Sequence, residues 1–151
     1  MPQLSTRLAN TGDLDAVATL FDGYRQFYGK ASDTDGAKAF LGARMSAGDS
    51  TIIVAEQDGE IVGFTQLYPS FTSVGMAPIL ILNDLFVAAE HRGSGAAQAL
   101  LTAATGHARQ LGAVRLALST QKANATARRL YEKAGWALDE QYCTYNLRLA
   151  S

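Results

Sequence analysis

The sequence predicts an α/β fold, a mixed β-sheet with helices on both faces in three layers and the element order β-α-α-β-β-β-α-β-α-β. Three observations predict it. Apolar residues recur at helical spacing near the start, β-branched runs joined by a two-residue turn signal fill the middle, and a strand, glycine turn and helix are followed by further strand and helix patterns. With 151 residues, 48% of them hydrophobic and 18% charged, the chain suits one domain over residues 1–151 with a single core.

Each element has its own signal. Residues Gln3 to Leu8 read as a short strand. Leu14, Val17, Leu20, Phe21, Tyr24, Phe27 and Tyr28 then mark a helix, with Thr11 as N-cap and Asp13 and Asp15 in its first turn. Asp35 is the expected cap of a second helix, whose apolar side is Ala37, Phe40, Leu41 and Met45 and which Gly48 closes. TIIVAEQ and EIVGFTQLY flank Asp58-Gly59, the signature of an antiparallel hairpin. Pro78 to Val87 is an apolar strand interrupted by the polar pair Asn83-Asp84. The run from Gly95 to Leu111 predicts a helix, VRLALS a strand, Asn124 to Ala134 a helix, and YCTYNLRL a final strand.

Composition excludes several function classes. Thirteen Lys+Arg against fourteen Asp+Glu leave a net charge of -1, which argues against a nucleic-acid partner. The single Cys143 rules out an intramolecular disulfide, and with only His91 and His107 beside it no zinc-type ligand set is expected. The longest apolar run, Ala77 to Leu82, falls far short of the ~20 residues of a bilayer span. A soluble, cytoplasmic protein without metal or membrane partner is the expectation.

The densest chemical signal is His91-Arg92-Gly93-Ser94-Gly95-Ala96-Ala97, between an apolar strand and an Ala/Leu helix. Small residues let a ligand approach the backbone, and the N–H groups of a helix's first turn suit a pyrophosphate. A tight βα turn with no ligand is the competing reading. A dinucleotide fingerprint fails because the register from Gly93 ends at Gln98, and no Gly-Lys-Ser/Thr follows for a P-loop.

Arg92-x-x-Gly95-x-Ala97 resembles the acyl-CoA signature of the GNAT superfamily of N-acetyltransferases, and Asn124 and Tyr131, seven residues apart in a segment ending LYEKAGW, resemble its second motif. The resemblance spans nearly the whole chain. GFTQLYPSFTSVGMAPILILNDLFV and YRQFY further resemble the branch of spermidine/spermine and fungal histone and D-amino-acid acetyltransferases. It implies acetyl-CoA as co-substrate, held by backbone groups of Leu85, Phe86 and Val87, by the turn Arg92, Gly93, Ser94, Gly95, Ala96, Ala97 and Gln98, and by Asn124. It implies Tyr131 as the general acid. Related enzymes commonly form homodimers, and the strand-like C-terminus suggests the same here.

The chemistry requires a neutral nitrogen, yet a primary amine with pKa near ~10.4 is almost wholly protonated at neutral pH. Polyamine enzymes carry Glu-Asp where this chain has Asn83-Asp84; Asn83 cannot accept a proton, so Asp84 is the candidate base. Strict strand alternation would point Asp84 away from the face of Asn83, and a β-bulge would remove that objection. The alternatives are a structural Asp84 that binds backbone or an Arg, and free water with a lowered amine pKa in place of a protein base. Tyr24, Arg25 and Asn83 are the candidate substrate contacts: Arg25 adds a positive charge where polyamine enzymes place an acid, which favours an amino-acid-like amine or monoamine over a polyamine. Acetylation of a protein lysine and a non-catalytic CoA-binding module are the competing functions. His91 reads as rim, and Arg128, Arg129 and Lys133 as a solvated face.

Overall fold

The structure is a computed structural model and describes residues 3–150. Its contacts divide into two compact units, one ending at Ser119 and one beginning at Thr120. The first carries β1 (Leu4–Leu8), α1 (Leu14–Phe27), α2 (Thr34–Ala47), β2 (Thr51–Gln57), β3 (Glu60–Thr72), β4 (Ala77–Val87), α3 (Ala96–Gln110) and β5 (Leu116–Ala117). The second carries α4 (Ala125–Lys133). The mixed α/β class is as expected from the sequence.

The sheet runs in the order β1-β2-β3-β4-β5. The first four strands are antiparallel neighbours and β5 joins β4 in parallel. Period-two alternation assigns the faces. Ile52, Val54 and Phe64 share a buried cluster with Val17, Leu20 and Phe21 of α1 and Ala37 and Leu41 of α2. On the other face, Gly63 lies under α3: a Cβ there would meet the Phe86 carbonyl oxygen at 3.0 Å and Leu100 Cδ1 at 3.3 Å, so only glycine admits the helix this closely. Leu100, Leu101, Ala104 and Ala108 bury that side of α3. With both faces covered, Val62 through Leu67 are all buried. Burying the Phe64 side chain alone contributes about 1.5–3 kcal/mol.

Four local expectations are corrected. Asn10, not Thr11, caps the first helical segment: its side chain accepts from the Gly12 N–H at 2.9 Å, while Asp13 reaches back to the Asn10 N–H at 2.7 Å. This capping box sits on a 3-10 turn, Thr11–Asp13, which already contains Thr11. Asp33, not Asp35, caps α2, accepting from the Gly36 N–H at 2.9 Å; Asp35 lies in the first turn, where its charge faces the helix dipole. The strand expected in VRLALS shrinks to two residues, Leu80 and Ile81 pairing with Leu116 and Ala117. The segment YCTYNLRL forms no strand. Alternation decides which face a strand would present, but a strand exists only beside another edge, and the unit beginning at Thr120 has no strand among its described residues.

Candidate active site

The site grows from an irregularity in β4. Leu82 pairs with Leu67 and Asp84 with Gln66, so Asn83 is an extra residue without a cross-strand partner, a β-bulge. In a regular strand Asp84 would follow Leu82 onto the α3 face. The inserted residue shifts the register by one and turns Asp84, and Phe86 after it, to the α1 face. The Asn83 and Asp84 side chains then meet, Asn83 Nδ2 lying 3.2 Å from Asp84 Oδ1, a contact that regular alternation would forbid.

Asp84 is buried, with 4% of its surface exposed. Gln66 Nε2 donates to its Oδ2 at 2.8 Å, and Thr65 Oγ1 donates to its backbone carbonyl at 2.7 Å. Burial pushes the carboxyl above its ordinary range, partly offset by hydrogen bonds from Gln66, Tyr24 and Asn83. It is therefore a stronger proton acceptor than a solvated aspartate.

Tyr24, on α1, reaches the Asn83 carbonyl at 3.2 Å and packs edge-on against Phe86, Phe64 and Tyr28. The structure thus brings together Tyr24, Asn83 and Asp84. Arg25 lies on the same helix, where one guanidinium N–H donates to the Ala31 carbonyl at 3.4 Å; the Asp33 N–H and Ser32 hydroxyl hold Asp22 below its ordinary range, with a smaller contribution from the Arg25 charge. Asp22 in turn organises the α1–α2 loop, accepting from the Asp33 N–H and Ser32 Oγ, each at 2.7 Å.

Beyond Ile81 the β4 edge away from β3 has no ladder partner among the described residues, and this stretch includes Leu85, Phe86 and Val87. The turn that follows ends at Gly95, the N-cap of α3, with φ 91°. A non-glycine residue is strained there, and no side chain caps the helix, so the N–H groups of Ala96, Ala97 and Gln98 lack the usual side-chain acceptor. A Cβ on Gly93 would meet nothing within 4 Å, so the turn has open space above it. Ser94 is exposed in the same turn. Arg92 folds back, its Nε donating to the Val87 carbonyl at 3.2 Å and its guanidinium lying 5.4 Å from the centre of the Phe86 ring. An uncapped helix start beneath open space fits a pyrophosphate. His91, in the same turn, has its Nε2 3.9 Å from Glu60.

In the second unit Asn124 caps α4, its Oδ1 accepting from the Ala127 N–H at 3.1 Å. Tyr131 follows two helical turns later, on the same face, with its ring centre 6.0 Å from that of Trp136.

Sequence reasoning missed Thr65 and Gln66, both wholly buried. A signal was present: a polar pair inside the apolar run of β3, matching the polar pair of β4. A cavity of about 290 Å³ lies elsewhere, bounded by Leu8, Asn10, Met45, Ile52 and His107. His107 is roughly 16 Å along α3 from its N-terminal turn.

Comparison with known proteins bears on the family and the fold. The model of the Acetyltransferase (GNAT) family matches residues 17–136. The chain is 49% identical over 146 residues to the uncharacterized N-acetyltransferase YhfO of Bacillus subtilis (strain 168), a match covering 97% of this chain and 98% of that protein. It superposes on the crystal structure of a probable acetyltransferase with a TM-score of 0.90 at 37% identity, covering 99% of each chain. It shares its fold with the aminoglycoside N-acetyltransferase AAC(6')-Iy in complex with CoA, at a TM-score of 0.82, 19% identity and 98% and 97% coverage. The family match over most of the chain, together with a relative of nearly the same length, gives the assignment: the chain belongs to the GNAT family and is an acetyl-transferring enzyme.

Proposed function

We propose that this acetyltransferase moves the acetyl group of acetyl-CoA to the primary amine of a small, amino-acid-like or monoamine acceptor, by direct transfer with both substrates bound. The observation that carries the proposal is the bulge that turns the buried carboxylate of Asp84 onto the α1 face beside Tyr24 and Asn83. A carboxylate raised by burial takes a proton from an incoming ammonium more readily than a solvated one.

Acetyl-CoA supplies an activated thioester. The α3 N-terminus, with Arg92, Gly93, Ser94, Gly95, Ala96, Ala97 and Gln98, would hold its pyrophosphate, and the β4 backbone at Leu85, Phe86 and Val87 would hold its pantetheine arm as an added strand. Asn124 would bind that arm through its amide, and Tyr131 would protonate the departing sulfur. Tyr24 and Asn83 would line the acceptor site, and Arg25 would pair with an acceptor carboxylate. The uncapped helix start and the open space above Gly93 support the cofactor part of this reading. The described residues contain no helix long and apolar enough to cross a membrane.

The test is thiol release from acetyl-CoA against amino acids, monoamines, spermidine, spermine, aminoglycosides and lysine peptides. Amino acids or monoamines should have the highest kcat/KM, and Arg25→Glu should narrow or reverse their lead over spermine. Fastest turnover with spermine would refute the acceptor assignment. Preference for a peptide would indicate a protein substrate, and tight CoA binding without turnover of any amine would indicate a binding module.

A further inference from the structure

Asp84 does not stand alone in the sheet. Gln66, across the ladder on β3, has no exposed surface and uses both ends of its side-chain amide: Nε2 donates to Asp84 Oδ2 at 2.8 Å, and Oε1 accepts from Ser50 Oγ at 2.9 Å. An ionised carboxylate only accepts, so the amide must present its NH₂ end to Asp84. The Ser50 hydroxyl satisfies the carbonyl end that this orientation turns toward β2. Each end of the Gln66 amide thus faces a partner of the complementary kind.

We infer that Gln66, oriented by Ser50, is a positioning residue for Asp84: it holds one carboxylate oxygen in the sheet and leaves the other beside Asn83, on the side of the bulge. The inference rests on the reading of Asp84 as the base, and it adds two residues outside both sequence motifs. It also explains a buried polar pair, Thr65-Gln66, in a strand that is otherwise apolar through this stretch. Thr65 anchors the Asp84 main chain and Gln66 its side chain, so β3 fixes the bulge at two points. A buried carboxylate deprived of such a donor retains its proton to higher pH.

The titratable groups facing Asp84 are Tyr24 from α1 and Tyr68 from β3. Burial, then the Asp84 charge, raises the Tyr68 phenol, so it stays neutral wherever Asp84 titrates; Arg44 and Asp49 act on Tyr68 in opposite senses.

The experiment is an NMR titration of the full-length chain with carboxyl-labelled aspartate, the Asp84 resonance being identified by its loss in Asp84→Asn. In the unmodified protein the side-chain amide protons of Gln66 should move with the Asp84 midpoint. Amide protons that stay fixed through that midpoint overturn the inference, and this measurement does not depend on any Gln66 variant folding. In Gln66→Met, which removes the donor without adding a charge, the Asp84 midpoint should rise by about 1 to 2 pH units, as loss of a hydrogen bond to a charged group predicts. An unmoved midpoint in the folded variant overturns it equally. The role of Asp84 as base is judged separately, by amine turnover in Asp84→Asn, a readout on which the titration does not depend.

Discussion

Asn83 and Asp84 are neighbours in the chain but not in the ladder: Asp84 pairs with Gln66, while Asn83 is the residue that the bulge inserts between Leu82 and that pair. The inserted residue decides which face of the sheet Asp84 occupies. It also sets two neighbouring side chains 3.2 Å apart that a regular strand would point in opposite directions.

Asp84→Asn should lower kcat/KM for the preferred amine by about 10²-fold or more, the usual cost of losing a general base, and should abolish the acid limb of the pH profile. In the parent that limb lies above the ordinary aspartate value of 3.8, because burial raises the group. The linkage sign follows. The folded protein binds this proton more tightly than the unfolded chain, so the parent loses stability as pH rises through the interval between the ordinary and the raised pKa. Asp84→Asn should therefore raise Tm relative to the parent at neutral pH, with the gain fading below pH 3.8. Unchanged turnover would leave water as the base.

Gly95→Leu should abolish acetyl-CoA binding measured by calorimetry. Its φ of 91° excludes an ordinary side chain, and the turn must shift away from the N–H groups of α3 to accommodate one. Parental affinity in the folded variant would locate the cofactor elsewhere.

Tyr131→Phe should reduce kcat far more than it weakens acetyl-CoA binding, because the hydroxyl is needed when sulfur departs while the ring packing beside Trp136 survives. If kcat is unchanged where chemistry limits the rate, Tyr131 has no part in the proton transfer.

Asp13→Asn should lower Tm by a few degrees at neutral pH, since the capping box is worth ~1 kcal/mol and a chain of this size loses about 2–4 °C per kcal/mol. The Arg7 guanidinium, donating to both carboxylate oxygens at 2.7 and 2.9 Å, holds Asp13 down to about 2. A depressed carboxyl stabilises above its unfolded value, and that contribution is lost as pH falls toward 2, so the gap between variant and parent should close over this range. A gap that is constant from pH 7 to 2 would assign the effect to something other than the charge.

For assembly we propose a homodimer that covers the C-terminal segment, where Tyr142, Tyr145, Leu147 and Leu149 are all exposed. Sedimentation at micromolar concentration should give twice the 16.1 kDa monomer, and Leu147→Asp should shift the balance toward monomer. A single 16.1 kDa species in the parent would refute the dimer.

By itself the sequence determined the fold class, most helices and strands, the glycine turn before α3 and the placement of Asn124 at the start of α4 with Tyr131 seven residues on. Those features rest on periodicity, turn chemistry and local spacing, which act within a few residues. Tertiary structure decided the rest. Asn10 and Asp33 displaced Thr11 and Asp35 as caps because a cap is chosen by where the backbone leaves the helix, and YCTYNLRL stayed unpaired because a strand needs a second edge. The bulge at Asn83 could be imagined from the sequence but not located, since it exists only in the register between β3 and β4. Gln66 became visible for the same reason: a glutamine in a strand carries no chemical meaning until the ladder places it 2.8 Å from a buried carboxylate.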